Sequence, residues 1–239
     1  MKLDLLVMTV HPDDAELGAG GVIAKYVDEG KKVGIIDLTR GELGTRGTAE
    51  TRAYEAAKAA AILGVSVREN LGLRDGFFEN RETEQLEVIK SIRKFRPDIV
   101  ITNALSDRHP DHGRASQLVN DALFLAGLRR VETTLDGHIQ EPFRPRLQLQ
   151  LIQDLFIKPD IVIDITPYWD VKEQSILAYS TQFNSVGEED GPQTYISNPD
   201  FMSSTKGRAQ ELGRSIQAKY AEGFTSRKIL GVSDLFQLV

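Results

Sequence analysis

Apolar positions along the chain follow two periods in alternation, and the alternation predicts the elements. Leu3–Thr9 is a near-continuous apolar run interrupted by Asp4, the pattern of a strand covered on both faces. From Glu16 to Glu29 the positions Leu17, Ile23, Ala24 and Val27 keep a helical period, and Gly30 stops it. Lys32–Leu38, with Val33, Ile35, Ile36 and Leu38, predicts a second strand. Strand, helix and strand in so short a span imply a right-handed parallel crossover. The alternation then continues. A helix is expected over Thr51–Leu63, with Ala53, Ala56, Ala57 and Ala60 as its small stripe, and a short strand over Val65–Leu71. Thr83–Phe95 reads as a helix with Val88, Ile89, Ile92 and Phe95 inward, and Asp98–Thr102 as a third clear parallel strand. Asp111–Ala126 reads as an amphipathic helix, with Ala115, Leu118, Val119, Ala122 and Leu125 on one face.

After Gly127 the pattern loosens. Arg144–Ile152 alternates like a half-buried strand, Asp160–Ile165 is another apolar strand, and Thr166-Pro167 opens a helix running through Tyr179. The stretch 183–200 is rich in Gly, Pro, Asn, Ser and acids and reads as a long surface loop. Lys206–Tyr220 reads as a helix with Ala209, Leu212, Ile216 and Tyr220 in register, while Leu230–Val239 fits either a strand or a helix. Repeats and linkers are not evident. The expectation is a single α/β domain over 1–239, with a mostly parallel sheet.

Candidate chemistry falls where strands hand over to helices, the edge at which open α/β sheets bind ligands. The first strand ends in His11-Pro12-Asp13-Asp14-Ala15-Glu16. His11 and Asp14 are a nitrogen and oxygen pair suited to a divalent metal such as zinc, and Asp13 between them is free to act as a base. The acids alone would equally serve as helix caps facing the dipole. A second segment weighs against that plainer account. Asn103–Gly113 follows the Asp98–Thr102 strand and contains His109-Pro110-Asp111-His112. Three of the four histidines therefore lie at two strand ends, beside Asp13, Asp14, Asp107 and Asp111; the fourth, His138, reads as a surface residue. Two histidines and one carboxylate with an open position is a catalytic zinc arrangement.

Thr39–Gly47 holds three glycines with Arg40 and Arg46, and reads as a binding loop on the same edge. Arg52 stands in the first turn of the next helix, where a cation is unfavourable, so an anionic or polar partner is expected for it. Guanidinium groups bind carboxylates bidentately, although Glu42, Glu50 or Glu55 could instead pair with one of the three. Phe77 and Phe78 are expected to plug the core. Gly18-Ala19-Gly20-Gly21 invites a nucleotide-binding reading, but Ile23 occupies the third glycine position of the dinucleotide fingerprint.

Composition narrows the field without deciding it. The net charge of −6 argues against nucleic acid and anionic membrane surfaces. There is no cysteine, so any metal must be held by His, Asp or Glu. Signal-peptide layout and membrane-length apolar runs are lacking, and a cytoplasmic location is expected.

On His11–Asp14 and His109–His112 the sequence resembles the LmbE-like zinc-dependent N-acetylglucosamine deacetylases. It is most similar to those of bacillithiol biosynthesis, through Ile35–Gly47, Gly64–Leu73, Arg74–Phe78, Ala178–Phe183 and Tyr220–Phe224. The resemblance spans almost the whole chain. It implies a Rossmann-like three-layer fold, and one Zn2+ (with Fe2+ as an alternative) on His11, Asp14 and His112. Asp13 is then the general base, His109 faces the substrate carbonyl or leaving amine with Asp111 orienting its ring, and Arg52 contacts substrate. It also implies a small N-acetylated sugar as substrate, N-acetylglucosaminyl malate first and other N-acetylglucosamine sugars or chitooligosaccharides as alternatives, and a trimeric or hexameric assembly. A non-catalytic metal- or sugar-binding protein is the competing class.

Overall fold

The computed structural model describes residues 1–183 and 192–238. Its strands are β1 (Leu5–Thr9), β2 (Val33–Thr39), β3 (Val67–Leu73), β4 (Ile99–Thr102), β5 (Thr134–Leu135), β6 (His138–Ile139), β7 (Leu147–Leu151), β8 (Ile161–Asp164) and β9 (Ala221–Thr225). The helices are α1 (Asp14–Asp28), α2 (Ala49–Leu63), α3 (Glu82–Phe95), α4 (Pro110–Ala126), α5 (Trp169–Leu177), α6 (Ser180–Phe183) and α7 (Asp200–Arg214). Among the described residues seven strands form one sheet in the order β3-β2-β1-β4-β7-β9-β8, with β5 and β6 as a separate hairpin. β1, β2, β3, β4 and β7 are parallel, and β9 runs antiparallel to both of its neighbours.

The continuous apolar runs of β1 and β2 have a simple cause: every residue of both strands is buried. Alternate side chains enter cores on opposite faces of the sheet. Leu6 and Met8 join Val88, Ile92, Leu118 and Val119 of α3 and α4. Leu5 and Val7 join Val22 and Ile23 of α1, Trp169 of α5 and Ala209 of α7. The result is the three-layer α/β architecture expected. The order of the strands reverses at β1, which has β2 on one side and β4 on the other.

The glycines of α1 explain themselves by packing. A Cβ on Gly18 would lie 2.6 Å from Cδ1 of Leu151, and one on Gly21 would lie 2.6 Å from Cδ1 of Ile165. They let the helix approach the sheet and do not cradle a phosphate, so the nucleotide-binding reading loses its motif. The same helix is held by a buried ion pair. Glu222 of β9 accepts from the N–H groups of Gly21 and Val22 at 3.0 and 2.7 Å. Lys172 of α5 pairs with that carboxylate at 2.5 Å and donates to the Leu17 carbonyl at 2.7 Å.

The sequence reading departs from the structure mainly in the last third. The helix expected over Lys206–Tyr220 is α7, shifted to Asp200–Arg214. Ile216, which appeared in register, is 42% exposed, and Tyr220 instead stacks on Trp169 with ring centroids 4.6 Å apart. The chain turns sharply at Gln217, with φ 59°, and enters β9. That strand went unseen because Ala-Glu-Gly-Phe-Thr has no alternation: all five residues are buried. The helix from Thr166 begins as a 3-10 turn over Thr166–Tyr168. The surface loop expected over 183–200 lies, at 184–191, outside the described residues. The end of the chain is a 3-10 turn at Leu235–Leu238, neither strand nor α-helix, and Val239 lies outside the described residues. Of the two expected plugs, Phe78 is 2% exposed and Phe77 is 60% exposed.

Replacement of Gly21 by Ala forces the new Cβ against Ile165. Overpacking of this kind costs roughly 1–3 kcal/mol. The expected readout is a lower urea midpoint at unchanged m value; an unaltered midpoint would show that Ile165 can yield freely.

Candidate metal and active site

β1 and β4 are parallel neighbours, with Met8 opposite Thr102, so the segments that follow them emerge side by side at one edge of the sheet. Asn103 locks the two ends together by accepting from the Val10 N–H at 2.9 Å through its side-chain oxygen. The three histidines then meet. Ring centroids are 5.8 Å apart for His11 and His112, 4.8 Å for His11 and His109, and 5.1 Å for His109 and His112. His138 is exposed on the β5–β6 hairpin, as expected.

The Asp14 carboxylate lies between two of the rings. Its Oδ1 is 3.2 Å from Nε2 of His112, and its Oδ2 is 3.7 Å from Nδ1 of His11. The other nitrogen of each ring meets a second carboxylate. His11 Nε2 is 3.0 Å from Asp75 Oδ1, and His112 Nδ1 is 2.5 Å from Asp107 Oδ2. Asp14 itself accepts from the His11 N–H at 3.1 Å, from Asn103 Nδ2 at 3.0 Å and from Gln153 Nε2 at 2.9 Å. Gln153 is oriented in turn, because its oxygen accepts from Asn103 and from the Ala104 N–H, both at 3.0 Å.

These donors suit a divalent cation. Asp14 faces one nitrogen of each of two imidazoles, and the far nitrogen of each imidazole is fixed by a carboxylate, which is how metal-ligating histidines are usually held. Among the described residues, the donor atoms that lie within 4.8 Å of one another form two sets, His11 with His109 and His112, and His11 with Asp75 and Asp111. The charge distribution agrees. Burial disfavours the charged form of His112, but Asp14 and Asp107 outweigh it and raise its pKa to about 10. Burial also opposes ionisation of Asp14, yet the two histidines hold its pKa well below the usual carboxylate range. The pair thus keeps a proton where a cation would displace one.

Asp13 is in a different environment. Its φ of 126° is a positive value for a non-glycine residue, a conformation that costs of the order of 1–3 kcal/mol. Arg52 braces it, donating from Nη2 to the Pro12 carbonyl and to Asp13 Oδ2, the latter at 2.8 Å. Burial pushes the Asp13 pKa up to about 7, with Arg52 opposing and Asp14 adding to the rise. Arg52 therefore has the anionic partner expected for it, and that partner is Asp13.

The remaining candidates are distributed unevenly. His11, Asp13, Asp14, Arg52, His109 and His112 all line one cavity of about 630 Å3. Asp111 does not orient His109 through its carboxylate. His109 Nδ1 accepts the Asp111 backbone N–H at 3.3 Å, whereas the carboxylate receives the Gly76 N–H at 2.9 Å and Arg114 Nη1 at 2.7 Å. The carboxylate lies 3.8 Å from His11 Nε2. Arg46 is buried and is not among the residues lining the cavity; Arg40 is exposed and lines a separate hollow with Arg68 and Asn70. The cavity instead includes Arg108 and Arg208, which the sequence did not suggest. Both are drawn to Asp154, Arg108 through its side chain at 2.7 Å and Arg208 through the backbone carbonyl at 2.8 Å. Asp75, Asn103 and Gln153 were also overlooked as site residues. Each follows the end of a parallel strand directly or within two residues, and that position was the available signal.

A Rossmann-like α/β sheet with a histidine–carboxylate cluster at its switch point defines a class of metal-dependent enzyme. The comparisons make it specific. Residues 6–123 match the model of the PIG-L family, GlcNAc-PI de-N-acetylase. The diacetylchitobiose deacetylase of Thermococcus kodakarensis is 30% identical over 195 residues, covering 75% of this chain and 70% of that protein. A probable N-acetyl-alpha-D-glucosaminyl L-malate deacetylase of Bacillus subtilis is 27% identical, covering 79% of this chain and 87% of that protein. A 4-oxalmesaconate hydratase of Pseudomonas putida is 27% identical, covering 74% and 73%. Among solved structures, a conserved protein of Thermus thermophilus superposes with a TM-score of 0.85 at 38% identity, covering 97% of this chain and 98% of that one. The chain belongs to the PIG-L family and is an enzyme of that family.

Asn103→Ala removes one donor to Asp14 and leaves the Val10 N–H without its acceptor. The expected loss of stability is about 1–3 kcal/mol, together with weaker divalent-cation binding in a chelator competition. Unchanged cation affinity would mean that Asn103 serves the fold alone.

Proposed function

We propose that the chain is a zinc-dependent amidohydrolase that removes the N-acetyl group from an N-acetylglucosamine conjugate. The observation that carries this reading is Asp14, set between His11 and His112 on the wall of a cavity, with Asp13 beside it. Held by His11, Asp14 and His112, Zn2+ would supply a water of lowered pKa and an electrophilic partner for the amide carbonyl.

The chain's own groups supply the rest. Asp13 is the base that takes the proton of the attacking water, and Arg52 fixes its orientation. His109 accepts the Asp111 N–H at Nδ1, so the neutral ring carries its proton on Nε2. That N–H is a donor for the oxyanion that develops on the carbonyl oxygen, where a fixed dipole is most effective. The proton that Asp13 took from the water then passes to the leaving amine, and acetate and the free amino sugar leave. The role once expected for Asp111 changes accordingly: its backbone, not its carboxylate, sets the His109 tautomer.

The substrate we favour is N-acetylglucosaminyl malate, in bacillithiol biosynthesis. The family resemblance and the named substrate of the Bacillus subtilis relative support it. Two guanidinium groups in the cavity, Arg108 and Arg208, are better placed for a dicarboxylate than Arg40 or Arg46. The same reading makes the protein a cytoplasmic homo-oligomer. Among the described residues no helix is long and apolar enough to cross a membrane. The hydratase among the relatives gives a second reading, addition of water to a substrate double bond.

Acetate release from N-acetylglucosaminyl malate, diacetylchitobiose and N-acetylglucosamine, each with and without chelator, separates these readings. Asp13→Asn should retain bound zinc and lose about 10²–10⁴-fold in kcat, the usual contribution of a positioned base. His11→Ala should lose zinc and activity together. An Asp13→Asn enzyme of near-normal rate would remove the base from the scheme, and zinc binding without acetate release from any of the three would remove the deacetylase.

A further inference from the structure

Asp75 and Asp107 each do two things, and they do the same two things. Asp75 Oδ1 meets His11 Nε2 at 3.0 Å, while its Oδ2 accepts the backbone N–H of Leu43 at 3.0 Å. Asp107 Oδ2 meets His112 Nδ1 at 2.5 Å, while its Oδ1 accepts the backbone N–H of Leu155 at 2.7 Å. The two leucines are the exposed parts of two loops, 60% and 47% accessible. Both loops line the cavity, the first through Leu43, Gly44 and Thr45, the second through Gln153 and Asp154. The first loop is tied to Asp75 twice, because Glu42 accepts the Asp75 N–H at 2.9 Å.

A carboxylate held at both oxygens transmits position. If an imidazole turns, its carboxylate partner must turn or lose a bond, and the loop N–H on the other oxygen follows. The converse holds when a ligand presses on the loop. The pattern occurs at both histidines, from different strands, with the same division of oxygens. A role limited to fixing ring orientation needs one oxygen of each carboxylate. It does not call for the second oxygen to reach a cavity loop in both cases.

We infer that Asp75 and Asp107 are positioning residues that couple cation binding at His11 and His112 to the placement of the two cavity loops, so that cation and sugar bind cooperatively. The inference rests on the metal reading given above. Coupling of this kind is reciprocal: whatever factor the sugar adds to cation affinity, the cation adds to sugar affinity.

The test uses the whole protein with Zn2+ and glucosamine, the amino sugar left by deacetylation, as probes. Zn2+ affinity is measured by chelator competition with and without saturating glucosamine, and glucosamine affinity by calorimetry with and without Zn2+. The wild-type expectation is one common factor of about 5-fold or more in both directions. In Asp75→Asn and Asp107→Asn, Zn2+ affinity should fall about 10–100-fold and the coupling factor should approach one. An amide cannot accept from both donors, so each variant breaks one arm of the link. Retention of the wild-type factor in both variants would mean that sugar and cation touch directly, and would overturn the inference. So would a wild-type factor of one, a result that needs no variant to fold. Failure of the wild-type protein to bind Zn2+ at all would instead refute the metal reading beneath it.

Discussion

The site depends on the satisfaction of one buried carboxylate. An ionised Asp14 out of contact with water is costly unless each oxygen is met by donors or positive charge. The donors come from four places: the His11 N–H after β1, Asn103 after β4, Gln153 after β7, and His112 in the first turn of α4. Of these groups only His11 is close to Asp14 along the chain. The parallel register of β1, β4 and β7 must therefore be right before Asp14 can be both buried and charged. Sheet register and functional geometry are one constraint here, because a one-residue slip would send every side chain to the opposite face.

The first turn of α1 needs holding as well, and β9 provides it. The Glu222–Lys172 pair touches the Leu17 carbonyl and the Gly21 and Val22 N–H groups, a turn or two beyond Asp14. A buried ion pair is a weak source of net stability, since desolvation offsets most of its attraction. Its geometry is nevertheless demanding. Apolar packing along the glycine face of α1 would allow the helix to slide, whereas two N–H donors on one carboxylate admit little freedom. The late, antiparallel strand thus serves the site at a distance, through the placement of the helix that carries Asp14.

Much of this could be read from the chain alone. The first two-thirds alternates cleanly, and continuous apolar runs such as Val33–Leu38 announce strands covered on both faces. His11–Asp14 and His109–His112 identified themselves because three of four histidines followed strand ends. What escaped notice escaped for physical reasons. β9 has no period, because a strand buried on both faces with a glutamate inside it resembles neither template. Arg40 and Arg46 read as binding residues by type and loop, but the type of a residue does not say which hollow it will line: Arg40 lines one beside Arg68, and Arg46 is not among the residues lining the main cavity. Arg108 and Arg208, 100 residues apart in number, share Asp154 only in the folded chain. Gln153 and Asn103 are unremarkable in sequence, being neutral amides whose value lies in what they hold still.

The most informative contrast is between two neighbours. Asp13 and Asp14 are identical in kind and adjacent in sequence, yet the fold drives their proton affinities apart, one up to about 7 and the other well below the usual range. The cause is conformational. A φ of 126° at Asp13 accompanies a carboxylate set against Arg52, while Asp14, already helical, faces His11 and His112. Glycine would adopt that φ without strain but would carry no carboxylate, so the strain is the condition of having two acids in two settings. When environments separate the affinities of paired acids in this way, their roles separate too. On the proposed hydrolytic reading, Asp14 remains an anion beside the cation and Asp13 exchanges the proton. The Arg52 guanidinium is best understood as the brace that makes the second role compatible with the fold, and its burial in the cavity wall follows from that task before any contact with substrate.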